Sequence, residues 1–174
     1  MDELQQYIAE RQISGVLAEQ LLALSGESAA RVGVLCRELQ PSANTLRGFL
    51  SLAEQIAARD KSTVAAVFAE FDDVVCAEKV QSKEKQRRVR LLLEAKRYPA
   101  RAALQNELVQ LQKEMVRESG LRIEYPRDLE GDTLSISFRV SSVDDLTATS
   151  ARVEKLATLP ATKRMFALLR GEES

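Results

Sequence analysis

The sequence of 174 residues contains no histidine, no tryptophan and only two cysteines, Cys36 and Cys76. Histidine is the commonest general base and metal ligand in proteins, so its absence excludes the Ser–His and Cys–His nucleophile arrangements. A zinc site needs a cluster of cysteine or histidine ligands, which two distant cysteines cannot provide. Glycine-rich phosphate loops and nucleophile motifs are also missing. We therefore expect a non-enzymatic protein with no catalytic residues, no bound metal and no cofactor.

Long apolar runs are missing as well, and the first residues, MDELQQYIAE, are acidic and polar. A transmembrane helix needs about 20 predominantly apolar residues, and a secretory signal needs a basic start before an apolar centre. The sequence therefore predicts neither membrane association nor export, and it favours a cytoplasmic location. In a reducing cytoplasm, we expect both cysteines to be small buried apolar side chains rather than a disulfide.

Helical spacing of apolar residues dominates the first 76 residues. Ser14, Ser42 and Ser62 each precede such a run, and a serine hydroxyl at this position can accept from the unpaired amides of a first helical turn. Pro41 ends one of the runs. Because helices this short are marginally stable alone, they must pack on one another. We predict a compact helical bundle over residues 1–76.

Two short runs near the C-terminal end alternate apolar and polar residues, which is typical of half-buried strands. Pro126 and Gly131 mark the turn between them, and its acidic residues, Asp128, Glu130 and Asp132, predict a solvated turn rather than a calcium loop. The apolar members of the two runs are Leu121, Ile123, Tyr125, Leu134, Ile136, Phe138 and Val140. The expected fold is mainly α (α+β), in which a helix–two-stranded antiparallel hairpin–helix module over residues 101–174 follows the bundle.

Two strands do not make a stable sheet alone, so they must be completed by helices or by another chain. A helix before the hairpin carries a leucine ladder, Leu104, Leu108, Leu111 and Met115, and Ser142 begins a helix after it. We predict that the seven apolar strand residues form one buried face closed by these helices. A second subunit would then add at the outer strand edge, so the same seven residues are the expected homodimer interface.

Residues 77–100 are predicted to form a basic connecting helix, which Pro99 ends. The stretch from Lys79 to Arg101 contains nine basic and two acidic residues, so it carries a net charge of +7. Because the whole chain carries −1, the remainder carries −8. Lysine and arginine on a helix can neutralise nucleic-acid phosphates without reading sequence. The expected phosphate contacts are Lys83, Arg87, Arg88, Arg90, Lys96, Arg97 and Arg101. A solvated helix face, whose charge balances the acidic remainder, is the alternative interpretation.

Two segments of the sequence match patterns of a known protein family. The first has the pattern Ile-Ser-x-x-x-Ala-x-x-Leu-Leu-x-Leu, at Ile13, Ser14, Ala18, Leu21, Leu22 and Leu24. It resembles the stretch that follows the helix-turn-helix of bacterial ParB-type chromosome partition proteins. The second, GLRIEYPRDLEGDTLSISFRVSSVDDL, lies in the helix–strand–strand–helix from Leu104 to Leu156. It is similar to the family's C-terminal dimerisation module, in which two strands from each subunit form a shared sheet.

The sequence also departs from this family. The N-terminal nucleotide-binding domain with its arginine-rich box is absent, and Leu17 and Glu19 stand where the family usually has His and Arg. The resemblance therefore implies neither CTP hydrolysis nor site-specific DNA reading. It implies a homodimer that associates with DNA, with a partition ATPase as a further partner. The chain would be either the C-terminal part of a longer protein or a diverged relative that keeps the scaffold.

Two functions of different classes follow from these observations. The leading hypothesis is a ParB-like, non-enzymatic protein that dimerises through its C-terminal module and contacts DNA non-specifically through the basic helix. The alternative is a helical protein–protein interaction module without DNA binding. In that case the binding surface would be the leucine ladder or a groove in the N-terminal bundle.

Overall fold

The structure is a computed structural model that describes residues 3–126 and 131–172. Within these residues the chain forms ten α-helices and one antiparallel pair of short strands, which confirms the predicted mainly α fold with a helix–hairpin–helix module. The chain divides into two compact units, Met1–Pro99 and Ala100–Ser174. Among the described residues, every helix is too short or too polar to span a bilayer.

The first unit contains seven helices in the described part of the chain. They are α1 Glu3–Glu10, α2 Val16–Leu22, α3 Gly26–Leu39, α4 Ala43–Asp60, α5 Val64–Ala69, α6 Asp72–Val75 and α7 Ser82–Arg97. The elements that follow are α8 Pro99–Ser119, β1 Arg122–Glu124, β2 Ser135–Ser137, α9 Val143–Thr158 and α10 Pro160–Leu169. The basic helix α7 packs against α3, α4 and α6 within the first unit.

Two of the predicted helix starts are confirmed by direct capping contacts. The Ser42 hydroxyl accepts a hydrogen bond from the Thr45 amide at 3.2 Å, which begins α4. The Ser142 hydroxyl accepts from the Asp145 amide at 3.0 Å, which begins α9. Each contact satisfies one of the amides that the first turn leaves without a partner in the helix.

The other two predicted starts are wrong by one residue. Gly15, rather than Ser14, precedes α2, and it does so with a positive φ of 66° that favours glycine. Thr63, rather than Ser62, caps α5 and accepts from the Ala66 amide at 3.1 Å. In both places an adjacent residue suits the turn better than the serine that the pattern selects.

The core of the first unit is built from aliphatic side chains and phenylalanine. Phe49 and Ile56 of α4 are buried with Phe68 of α5, and Val89 and Leu93 of α7 lie in the same cluster. The absence of tryptophan leaves this core dependent on many close aliphatic contacts rather than on a few large side chains.

A glycine allows α1 and α3 to approach closely within this unit. A Cβ at Gly33 would lie 3.2 Å from both the Leu4 amide nitrogen and the Glu3 Cβ. Because the Leu4 nitrogen belongs to the backbone of α1, a larger residue at Gly33 could not be accommodated by moving a flexible side chain alone. Gly33 therefore sets how deeply Leu4 of α1 is buried.

The prediction for the cysteines is confirmed for Cys36 and wrong for Cys76. Cys36 lies on the inner side of α3 and is fully buried, and burial raises the pKa of its thiol to about 12. Cys76 follows α6 and is exposed. The four-residue helix ends before it, so Val75 occupies the core position instead.

The second unit has its own apolar core. Leu108 and Met115 of the ladder are fully buried there with Ile123, Leu156 and Met165, while Leu104 and Leu111 pack partly against them. The ladder is therefore core in this unit rather than an exposed partner surface. In the hairpin, Ile123 lies opposite Ile136, and the Gln112 side chain donates to the Ile123 carbonyl at 2.6 Å.

The expectation of a single buried face on the hairpin is confirmed for Leu121 and Ile123, and Tyr125 and Leu134 are partly buried against the same core, but it is wrong for the other three residues. Ile136, Phe138 and Val140 are 39%, 49% and 42% exposed. Phe138 and Val140 are exposed because β2 ends at Ser137 and they lie beyond the paired strands, whereas Ile136 is exposed within β2 itself. The predicted turn acids Asp128 and Glu130 lie outside the described residues.

A stability prediction follows from the end of α4. Lys61 holds a left-handed conformation with φ of 51° there. This conformation costs a residue with a Cβ about 1–2 kcal/mol, whereas glycine adopts it without the clash. We expect Lys61→Gly to raise the free energy of unfolding by about 0.5–1 kcal/mol, since greater unfolded-state entropy offsets part of the gain.

Urea denaturation monitored by circular dichroism measures this change. Lys61→Ala is the matched control, because it removes the same side chain but keeps the Cβ, and it should bring no gain. An unchanged or lower unfolding free energy for the glycine variant would contradict the prediction.

Candidate nucleic-acid interface

The basic helix α7 has one buried stripe that fixes its rotation about its own axis. Lys85, Val89 and Leu93 recur at a spacing of four residues and are all buried. Residues four apart in a helix share a face, so the side chains between them point elsewhere. The remaining basic residues of the first turns are thereby directed to solvent.

The solvent side of α7 carries what we name the basic face, defined as Lys83, Arg87, Arg88 and Arg90. The arginine side chains are 64%, 50% and 69% exposed, in that order. Lys83 is also exposed and makes no ion pair with any described residue. These four predicted phosphate contacts lie on the solvent side of α7, where Lys83, Arg87 and Arg90 share one stripe and Arg88 lies on the other flank.

Each arginine of the basic face is paired with a carboxylate of the same helix. Glu84 accepts from Arg87 Nε and from Arg88 Nε, both at 2.8 Å, through its two carboxylate oxygens. Arg90 Nε donates to Glu94 at 2.8 Å. The hydrogen bonds from Arg87 and Arg88 lower the pKa of Glu84 to about 2, so this carboxylate is ionised at physiological pH.

Lys96 and Arg97, which are also predicted to contact phosphate, have side-chain partners on other elements of the first unit. Lys96 Nζ donates to the Glu70 carboxylate at 2.6 Å, and Arg97 Nε donates to the Gln55 side chain at 2.8 Å. Arg59 of α4 donates to the Lys96 carbonyl at 2.8 Å, which satisfies an orphan carbonyl of the last turn. These partners lie 26 to 42 residues away in sequence, so the spacing within α7 could not reveal them.

Arg101, the last predicted contact, lies exposed on α8 in the second unit and is not part of the basic face. Lys85 contributes to the +7 charge of the Lys79–Arg101 segment but is only 5% exposed. Its ammonium donates to the Val75 carbonyl at 2.8 Å and lies 3.6 Å from the Glu38 carboxylate. Lys85 therefore stabilises the fold and is not accessible to a ligand.

Apolar residues on the basic side of α7 were missed by the sequence interpretation. Leu91 is 51% exposed and Leu92 is 38% exposed. Tyr98 at the helix end is exposed, and the Arg97 guanidinium lies 4.8 Å from its ring centroid. A helical wheel centred on the buried stripe places Leu91 outside it, which is the signal that could have identified this residue.

A second group of exposed apolar side chains lies in the second unit. They are Ile136, Phe138, Val140, Val143 and Leu146, together with Val116 of α8. The first five occupy a short stretch of sequence that runs from β2 into the first turn of α9. Clusters of His, Cys, Asp or Glu suitable for a metal ion are absent from the part of the chain that the structure describes.

Comparisons of the chain with protein-family models, with curated proteins and with solved structures gave no match. The resemblance to ParB-type proteins is therefore carried by the two sequence segments given above. The geometry of the basic face is independent of that resemblance, because it follows from the packing of α7.

The buried position of Lys85 predicts a role in stability. We expect Lys85→Met to lower the free energy of unfolding by about 1–3 kcal/mol, because the Val75 carbonyl loses its buried donor while the volume is nearly kept. Lys83→Met, the same change at an exposed position of the same helix, should stay within about 0.5 kcal/mol of the parent protein. Urea denaturation measures the free energy of unfolding of the parent protein and the two variants. An equal decrease in both variants would contradict a stabilising role for Lys85.

Proposed function

We propose that the protein is a ParB-like, non-enzymatic DNA-associated protein that forms a homodimer through its second unit. Its basic face contacts DNA phosphates without reading sequence. The observation that carries the proposal is the outward placement of Arg87, Arg88 and Arg90 on a helix whose other side is fixed in a core. Pre-oriented guanidinium groups suit phosphate oxygens because the planar fork can donate two parallel hydrogen bonds.

The balance of charges on this helix predicts weak, salt-sensitive binding. Four cations of the basic face lie beside two carboxylates, Glu84 and Glu94, so the net local charge is +2 rather than the +7 of the whole segment. Phosphate contacts of this kind release counterions and lose affinity as salt rises. Two copies in a dimer would present two such faces, and linked sites bind more tightly than single ones.

The apolar side chains between Ile136 and Leu146 support the dimer. Monomeric proteins rarely expose contiguous apolar patches beyond a few hundred Å², and a standard interface buries about 800 Å² per partner. In the proposed dimer, these five exposed apolar residues would form the apolar centre of the interface. A partition ATPase as partner and the bacterial cytoplasm as location are supported by the sequence resemblance alone.

A helical protein-interaction module without DNA binding is the second candidate function. It is favoured by the exposure of Leu91 on α7 and of Val16 and Leu22 on α2. Arginine is enriched in protein interfaces, and the buried centre of an interface is more apolar than the rest of the protein surface. The two candidates differ in whether nucleic acid binds at low salt.

Reversing the charges of the basic face tests DNA binding. We expect Arg87→Glu, Arg88→Glu and Arg90→Glu together to weaken binding to a DNA duplex at low salt by at least about tenfold, because the phosphates then face acidic groups. Fluorescence anisotropy at several salt concentrations measures the affinity. For the parent protein, four cations limit the slope of log K against log salt to about −4 per subunit.

The matched control reverses three exposed cations elsewhere in the first unit, Arg11, Arg47 and Lys61, which changes the net charge equally. It should retain most of the affinity. No binding by the parent protein at low salt, or an affinity that does not fall with salt, would contradict the phosphate contact and favour the interaction module.

Dimerisation is tested at Phe138. Since Phe138 is half-exposed in the single chain, Phe138→Glu should leave the unit folded but weaken self-association by at least about tenfold. Analytical ultracentrifugation gives the mass, and circular dichroism gives the helical content. Val16→Glu is the control, because it puts the same charge on an exposed apolar position of the first unit. A monomeric parent protein at micromolar concentration would contradict the dimer.

A further inference from the structure

Tyr98 places an exposed aromatic ring at the C-terminal end of the basic helix. Its amide donates to the Glu94 carbonyl at 2.9 Å, so this residue still follows the helical register of α7. Residues three and four apart in a helix share a side, so Tyr98 lies in line with Glu94, Leu91 and Arg87. This side of α7 therefore carries a cation towards its start and apolar and aromatic side chains towards its end.

Arg97 covers one face of the Tyr98 ring and orients it. The guanidinium carbon lies 4.8 Å from the ring centroid, and Arg97 Nε donates to the Gln55 side chain of α4 at 2.8 Å. A cation over an aromatic face is attracted by the ring quadrupole. Since the Tyr98 side chain is still 45% exposed, the opposite face of the ring is the one open to a planar ligand. A ring that is already oriented loses less conformational freedom when it binds.

A nucleic-acid base is the planar group that arrives together with phosphates for the arginines. In a duplex the bases are stacked on one another and show only their edges in the grooves. In a single strand they can be splayed out and stacked on aromatic side chains. Arg87 and Tyr98 lie about 16 Å apart along the axis of α7, at about 1.5 Å per residue. A stacked strand covers this distance in about five nucleotides, at about 3.4 Å each.

We infer that this side of α7 binds single-stranded DNA, with one unpaired base stacked on the open face of the Tyr98 ring and phosphates on Lys83 and Arg87. The inference rests on the proposed DNA contact and narrows the ligand to DNA with unpaired bases. Glu94 lies between the cations and the ring, but it pairs with Arg90 at 2.8 Å and so offers no isolated negative charge to the strand.

Tyr98→Ala tests the stacking. Two labelled probes are used at low salt, an oligothymidine of about 12 nucleotides and a duplex of about 30 base pairs. We expect Tyr98→Ala to weaken binding of the oligothymidine by about five- to 100-fold, because one stacked base is lost, while the duplex affinity changes by less than about twofold. Tyr98→Phe keeps the ring and should keep both affinities within about twofold. Fluorescence anisotropy measures the affinities, and circular dichroism verifies that each variant is folded.

The absence of tryptophan allows a second measurement. The chain has three tyrosines, Tyr7, Tyr98 and Tyr125, so its intrinsic fluorescence comes from tyrosine. A base stacked on Tyr98 should quench part of this emission when unlabelled oligothymidine is added. Tyr98→Phe should keep the affinity but lose the quenching, which a purely structural role of Tyr98 would not produce. The matched control, Leu22→Ala, truncates an exposed apolar side chain elsewhere in the first unit and should change neither the affinities nor the quenching.

The possible results separate the stacking from the proposed function. If the parent protein binds DNA but Tyr98→Ala binds the oligothymidine equally well, the stacking is wrong and the phosphate contact stands. An equal loss of affinity for both probes in Tyr98→Ala also overturns the stacking, because the ring would then act on paired and unpaired DNA alike. Tyrosine emission that oligothymidine does not quench contradicts it as well. If the parent protein binds neither probe at low salt, the proposed function is wrong and the inference with it.

Discussion

The burial of one stripe of α7 is the interaction on which the rest of the candidate interface depends. Val89 and Leu93 are fully removed from water in the core of the first unit, and each such side chain contributes about 1.5–3 kcal/mol. This burial fixes which way the helix is rotated. The arginines face solvent as a consequence of that rotation rather than through contacts of their own.

Polar contacts then fix the two ends of the same helix. Near the start, Lys85 reaches the Val75 carbonyl; at the end, Arg59 satisfies the Lys96 carbonyl. Cations that a count of charges would assign to ligand binding thus divide into two kinds. Cations such as Lys85 hold α7 in place, whereas the cations on the solvent side of α7 are accessible to a partner. The charge available to a partner is therefore lower than the +7 of the segment.

Features governed by short-range spacing could be predicted from the sequence, and features governed by distant partners could not. The caps at Ser42 and Ser142, the hairpin and the aliphatic core follow local rules. The ion pair of Lys96 could not be predicted because its partner Glu70 lies 26 residues away in sequence. Phe138 was misplaced because alternation in sequence continues beyond the end of β2, so the pattern extends further than the hydrogen-bonded ladder.

The two cysteines of the first unit lie in opposite environments, so the rates at which they react with a thiol reagent report the opening of its core. Cys76 is open to solvent, whereas Cys36 is sealed in the core, where burial raises the pKa of its thiol to about 12. Because the thiolate is the reactive form, a maleimide dye would attach at Cys76 in the native protein. Labelling at Cys36 would proceed only through opening of the core, so its rate would follow the local opening equilibrium.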